Sequence, residues 1–130
     1  MSAFEWRMRV YWEDTDGGGV VYYANYLRFL ERARTEWLRA RGVNQSTLSS
    51  ERGILFMVLG VHIEYRAPAR LDDSLIVTCE PVPEGRTTAS FQQRIYREGD
   101  ARELLVEATV RVVCVDAVSL RPRRLSEYLP

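Results

Sequence analysis

The sequence predicts an α+β domain in which one long amphipathic helix packs on an antiparallel sheet. Three observations carry that expectation. Helical periodicity runs once, unbroken, over "YYANYLRFLERARTEWLRARG" (22–42). After the polar connection that follows the helix the period changes, and the apolar stretches from 54 onward read as strands. The stretches after the helix are joined by short turns, which suit antiparallel neighbours. The 130 residues, 46% hydrophobic and 28% charged, read as a single domain over 1–130, long enough to bury a core.

The elements follow in order. "RMRVYW" (7–12) reads as a first strand, with Met8, Val10 and Trp12 on one face. A loop of acids and glycines follows, then the helix. Tyr26, Leu30, Ala33 and Trp37 recur at helical spacing, and Leu27 and Leu38 widen the stripe. Glu31–Arg34 and Glu36–Arg39 are spaced as i,i+3 ion pairs, each worth about 0.3 kcal/mol. Arg39 and Arg41 suit the negative end of the helix dipole, and Gly42 suits the position just past the end. "NQSTLSSERG" (44–53) is a polar connection with room for a short helical turn. Strands are then expected over 54–68, 74–82, 87–98 and 101–116, with turns at 83–86 and 98–100. "RPRRLSEYLP" (121–130) reads as a basic tail with a final apolar anchor. The sheet is larger than one helix covers, so a homo-oligomer is expected.

Composition narrows the function classes. Eighteen basic and eighteen acidic residues cancel, so no field of one sign gathers nucleic acid or an anionic membrane. Cys79 and Cys114 lie far apart in apolar stretches and read as buried thiols of a reducing compartment. With His62 the single histidine, no metal site is expected. The opening residues carry Glu5 and Glu13 and no long apolar run, and no window has the length of a membrane span. A cytoplasmic protein without membrane insertion is the expectation.

Chemistry concentrates in "EDTDGGGVVYYANY" (13–26). Glu13, Asp14 and Asp16 precede Gly17, Gly18 and Gly19, and the helix follows. Acids near a helix N-terminus are common because the dipole favours them. The glycines add something else, since they let another group approach the backbone. The N–H groups of Val20 to Tyr23, read as the first helical turn, are free to donate to a carbonyl oxygen or oxyanion. A carboxylate beside such donors suits acyl transfer, either attacking a carbonyl or activating water. "DGGGVV" has neither the lysine of a phosphate loop nor the spacing of a dinucleotide fingerprint.

"RVYWEDTDGGGVVYYANYLRFLERARTEWLR" closely resembles the opening of the hotdog-fold acyl-CoA thioesterases. It looks most like the branch associated with the bacterial Tol–Pal system, related to 4-hydroxybenzoyl-CoA thioesterase. The family signature is matched by Asp16, Gly19, Val20, Val21, Tyr22 and Tyr26, and the resemblance continues through "EYRAPARLDD", "QRIYRE" and "RPRRL". It implies a five-stranded antiparallel sheet wrapped around one long central helix, with active sites at a dimer interface, in a homodimer or a homotetramer built as a dimer of dimers. It implies hydrolysis of acyl-CoA to free acid and CoA. No cofactor is implied beyond the CoA of the substrate; acyl carrier protein is a further possible carrier of the thioester. Asp16 matches the catalytic aspartate, acting as nucleophile or general base. The backbone N–H of Tyr23 matches the donor to the thioester carbonyl, and Gly19 the glycine that leaves room there. Many members of the Tol–Pal branch carry histidine at the position of Tyr23. A phenol is a poor general base near neutral pH, so Asp16 and the helix entrance form the minimal machinery.

Other residues have two readings each. Asp14 is a second carboxylate for chemistry or a turn cap. Asn25 orients ligand or bonds locally. Glu31 is a helix acid for catalysis or a partner of Arg34. Phe56, Met57 and Val58 line an acyl pocket or belong to the core. Gly85, Arg86 and Thr87 form a turn where the resemblance places nucleotide contacts, Arg86 offering a fork of donors to phosphate; "RPRR" (121–124) is a second basic candidate. The competing functions are a hotdog hydratase or dehydratase, which needs a histidine beside the acid, and a non-catalytic acyl-CoA binding module. His62 lies far from Asp16 in sequence, which disfavours the former, and Asp16 itself disfavours the latter.

Overall fold

Alternating apolar and polar positions build one five-stranded antiparallel sheet in the computed structural model, which describes residues 3–125. The elements are β1 (Phe4–Arg9), α1 (Asn25–Ala40), β2 (Ile54–Tyr65), β3 (Ser74–Pro83), β4 (Thr88–Arg97) and β5 (Glu103–Asp116). The strand order is β1-β3-β4-β5-β2, so β1 and β2 are the edges. Register sorts the faces: Val61, Val110 and Phe91 align across β2, β5 and β4 toward the helix, and His62, Thr109 and Gln92 align on the other side.

Helix α1 buries Tyr26, Phe29, Leu30, Ala33, Trp37 and Leu38 in one core with the inner face of the sheet. Trp37 meets Phe91 edge-on, with ring centroids 5.4 Å apart. The helix ends as expected: the N–H of Gly42 donates to the carbonyl of Arg39 and that of Val43 to Leu38, with Gly42 at φ +82°. Asn44 caps the short helical turn Gln45–Thr47, which continues through Leu48–Arg52.

Four expectations shift. The first strand lies at Phe4–Arg9 rather than 7–12, because Trp12–Asp14 forms a 3₁₀ turn that leaves Trp12 exposed. The helix begins at Asn25 rather than 22, because Val20 and Val21 are held extended by bridges to Arg70 and Thr15. Leu27 stands at the edge of the apolar stripe and is exposed. Arg34 forms no ion pair with Glu31; it turns inward and donates to Oε1 of the buried Gln93 at 3.0 Å. Gln93 in turn donates to the carbonyls of Leu30 (3.0 Å) and Thr78 (3.2 Å), fastening the helix to the sheet. The Glu36–Arg39 pair is present. The apolar end of the tail falls at 126–130, outside the described residues.

The two edges differ in chemistry. Along β1, Glu5 and Arg7 are committed to ion pairs with Arg102 and Glu98, a charged edge that discourages further pairing. Along β2, Met57, Val58, Leu59 and Val61 are exposed, and a bulge at Leu59 interrupts the pairing with β5. No described helix is long and apolar enough to cross a membrane.

Candidate active site at the entrance to the helix

The loop between β1 and α1 is built by hydrogen bonds that short polar residues supply. The Asp14 carboxylate accepts from the N–H of Tyr11 at 2.8 Å and closes the 3₁₀ turn. Its carbonyl accepts from the N–H of Tyr22 (3.0 Å) and from Nδ2 of Asn25 (2.9 Å). Asp14 is buried and Asn25 bonds locally, so both hold the loop.

Asp16 is exposed at the tip. Its Oδ1 accepts from the N–H of Gly18 at 2.7 Å, while Oδ2 has no hydrogen-bond partner among the described residues. A Cβ at position 18 would lie 3.2 Å from that same Oδ1. Gly19 adopts φ +79°, a left-handed backbone that disfavours side chains, so its role is conformational as well as spatial.

Not all of the expected donors are available. The N–H of Val21 donates to the carbonyl of Ala69 (2.9 Å) and that of Tyr22 to Asp14, whereas the N–H of Tyr23 has no acceptor among the described residues. The backbone carbonyl of Val20 accepts from the N–H of Asp16 at 2.9 Å, which folds the glycine turn back on itself. Of the four candidates, Val20 and Tyr23 are the ones whose N–H has no acceptor among the described residues.

Sequence reasoning did not single out Tyr65, at the end of β2. Its hydroxyl donates to the carbonyl of Tyr23 at 3.2 Å, and its ring stands edge-on to that of Tyr23 at 6.3 Å. Tyr22 and Tyr23 pack at 5.0 Å. Burial pushes the Tyr65 hydroxyl above its ordinary pKa, and Tyr23 adds to the shift. An open cavity of about 310 Å³ lies here, lined by Val21, Tyr23, Tyr26, Tyr65 and the chain at Arg66–Pro68. The tyrosine within "EYRAP" was visible in the sequence, but its neighbour is 42 positions away.

A second cavity of about 310 Å³ opens between α1 and the β2 side of the sheet. Phe56 and Val58 line it with Arg34, Leu38, Phe91 and Val112; Met57, next along the strand, does not. At the far turn, Gly85 and Arg86 are exposed, and the carbonyls of Arg86 and Thr87 accept from the N–H groups of Leu125 (2.8 Å) and Cys114 (2.9 Å). The tail therefore packs on this turn and brings Arg121, Arg123 and Arg124 to the same end as Arg86; Arg123 also pairs with Asp116 at 3.1 Å. His62 points away from the helix and pairs with Glu64 at 3.1 Å. Among the described residues no three His, Cys, Asp or Glu side chains gather as metal donors.

Comparison with known proteins bears on this arrangement. The family profile of the Thioesterase-like superfamily matches residues 10–129. The acyl-CoA thioester hydrolase YbgC of Escherichia coli O6:H1 is 49% identical over 128 residues, covering 98% of this chain and 93% of that one. Among solved structures, a probable thioesterase from Bartonella henselae superposes with a TM-score of 0.87 at 34% identity, covering 95% of this chain and 99% of that one. A mutant 4-hydroxybenzoyl CoA thioesterase complexed with 4-hydroxybenzoyl CoA has the same fold, at a TM-score of 0.86 and 20% identity over 98% of this chain and 93% of that one. With five antiparallel strands around one long helix and a profile match over nearly its whole length, this chain belongs to the Thioesterase-like superfamily and has the hotdog fold.

Proposed function

We propose that this protein hydrolyses acyl-CoA to free acid and CoA, with Asp16 as the reacting carboxylate and the N–H of Tyr23 as donor to the thioester oxygen. The observation that carries the reading is the pairing of two uncommitted groups on one loop: Oδ2 of Asp16 and the N–H of Tyr23. The Asp14 carboxylate and the N–H groups of Val21 and Tyr22 are engaged in building the loop. The names of the relatives agree with this chemistry.

Two routes fit the residues. As a general base, Asp16 takes a proton from water, whose oxygen adds to the carbonyl carbon. The carbonyl oxygen gains charge against the N–H of Tyr23, the C–S bond breaks, and CoA leaves as thiolate and takes up a proton. As a nucleophile, the carboxylate adds to the carbon, the thiolate leaves, and water hydrolyses the resulting anhydride. Labelled oxygen from water entering Asp16 over many turnovers marks the second route. The basic end formed by Arg86 and the tail suits the phosphates of CoA. Phe56 and Val58, on their cavity, suit the acyl chain, and no cofactor is required beyond the CoA of the substrate.

The unit of function in this reading is a homodimer joined along β2, whose exposed apolar edge otherwise meets water. A second copy there also covers the exposed Tyr22 and Tyr23. The cytoplasm is the compartment assigned, in keeping with two buried cysteines outside any disulfide.

The test gives purified protein short, long and aromatic acyl-CoAs, and acyl carrier protein thioesters, and follows released thiol with a chromogenic reagent. Turnover is expected on at least one acyl-CoA. In Asp16→Asn, kcat/KM is expected to fall at least about a hundred-fold, near 2.7 kcal/mol of transition-state stabilisation. Undiminished hydrolysis by that variant removes Asp16 from the mechanism.

A further inference from the structure

The entrance to α1 is braced from one side by the segment 66–73, and its contacts converge on Ala69. The N–H of Ala69 donates to the Tyr26 hydroxyl at 2.9 Å, and its carbonyl accepts from the N–H of Val21 at 2.9 Å. Ala69 is 0% exposed and Tyr26 3%, so water does not compete for the hydroxyl contact. Tyr26, in the first turn of α1, stands three residues beyond Tyr23, and Val21 two residues before it. The segment also reaches the glycine turn, since the N–H of Leu71 donates to the carbonyl of Gly19 at 3.2 Å.

The brace is fastened from outside by Arg97, near the end of β4. Its Nε donates to the Asp73 carboxylate at 2.9 Å and its Nη2 to the carbonyl of Pro68 at 2.6 Å. The same Asp73 oxygen accepts from the N–H of Arg70 at 2.8 Å. A connected path thus runs from Arg97 through Asp73 and Pro68 to Ala69, and from there to both flanks of Tyr23.

We propose that Tyr26 is a positioning residue, whose hydroxyl bond to Ala69 sets where the N–H of Tyr23 stands relative to Asp16. Phenylalanine would bury the same ring in the core, so the oxygen serves something other than packing. Its loss leaves the buried N–H of Ala69 without an acceptor and frees the first turn to shift. A displacement of about an ångström at a reacting centre is enough to slow a step by one or two orders of magnitude. The inference rests on the reading of Asp16 and Tyr23 given above.

The test compares Tyr26→Phe and Arg97→Gln with the unaltered protein, each also in an Asp16→Asn background, after circular dichroism confirms folding. In Tyr26→Phe, kcat is expected to fall about ten-fold with KM within about two-fold. In the Asp16→Asn background the same change is expected to alter the residual rate by less than about two-fold, because the group being aligned is gone. Amide hydrogen exchange supplies a readout that needs no activity. Exchange over residues 20–26 is expected to accelerate in Tyr26→Phe, with residues 30–38 unchanged. Arg97→Gln is expected to loosen the same amides, and it carries the test if Tyr26→Phe does not fold. Unchanged exchange over 20–26, or an equal loss of kcat in both backgrounds, overturns the proposal. Accelerated exchange in a protein that turns over no acyl-CoA overturns the hydrolase reading and leaves the brace standing.

Discussion

Within "EDTD" the Asp14 carboxylate closes on the N–H of Tyr11, while the Asp16 carboxylate stands at the surface with one oxygen uncommitted. Chemical type does not separate them; what the chain does on either side of each does. Asp14 sits inside a 3₁₀ turn whose opening N–H needs an acceptor, and its carbonyl receives two further bonds. Asp14→Ala removes a cap at a partly buried backbone donor. It is expected to lower unfolding free energy by about 1–2 kcal/mol in urea titrations. A loss below about 0.5 kcal/mol would show that the turn holds without its cap. The sequence offered turn-capping as one reading of Asp14, because aspartate caps turns by type. Of the candidate site, the loop that carries Asp16 and Gly19 was legible, since it rests on a local motif. Which N–H groups are committed was not legible, because Val21 is satisfied by Ala69, far along the chain.

At the scale of elements, the helix was the most readable part, since its apolar stripe has one period and a glycine stop. Tyr26, Leu30, Ala33, Trp37 and Leu38 are all buried as the spacing demands. Its start was less readable, because extended bridges at Val20 and Val21 override a stretch that also suits a helix. The first strand slipped toward the N-terminus for a related reason. Phe4, Trp6 and Met8 continue the alternation of Met8, Val10 and Trp12, and only the turn at Trp12–Asp14 decides between them. Arg34 was read as a surface partner of Glu31, but Gln93 on β4 draws it inward. The β2 edge gives the test at this scale. Leu59 lies in the bulge and is 52% exposed, so a charge there leaves the single copy largely undisturbed. If β2 joins the proposed homodimer, Leu59→Lys is expected to yield monomer in sedimentation equilibrium where the unaltered protein is dimeric, with activity lost alongside. A variant that remains dimeric with full activity would place the interface on another surface.

Over the whole molecule the charges cancel in number and meet in pairs at the surface. The Glu5 carboxyl is held below its ordinary pKa chiefly by the hydrogen bond from Arg102, and Glu107 by those from Arg66 and Arg94. The Ser90 hydroxyl and then Arg111 lower Glu84, and the N–H groups of Ser119 and Val118 lower Asp116. A group depressed in the folded chain adds stability above its unfolded pKa, and the gain is lost as pH falls through the folded value. The acid limb therefore opens near 4.5 for the glutamates and 3.8 for Asp116, and runs downward from there. These groups face solvent, so salt weakens their contribution. The alkaline limb has a different origin. Burial pushes the Cys79 thiol from 9.0 up to about 12, and burial also raises the Tyr26 hydroxyl above 10.0. A raised pKa adds stability that is complete below the unfolded value and lost as pH rises toward the folded one. Between pH 9.0 and about 12 the unfolded chain has released a thiol proton that the folded chain keeps. That difference removes about 1.4 kcal/mol of stability per pH unit. Urea midpoints are expected to hold level from about pH 5.5 to 8.5 and to fall on both sides. Raising salt to about 0.5 M is expected to flatten the acid limb and leave the alkaline limb in place. Cys79→Ala is expected to move the start of the alkaline fall from about pH 9 toward the tyrosine range near 10. An alkaline limb that Cys79→Ala leaves untouched would trace the loss to groups other than the Cys79 thiol.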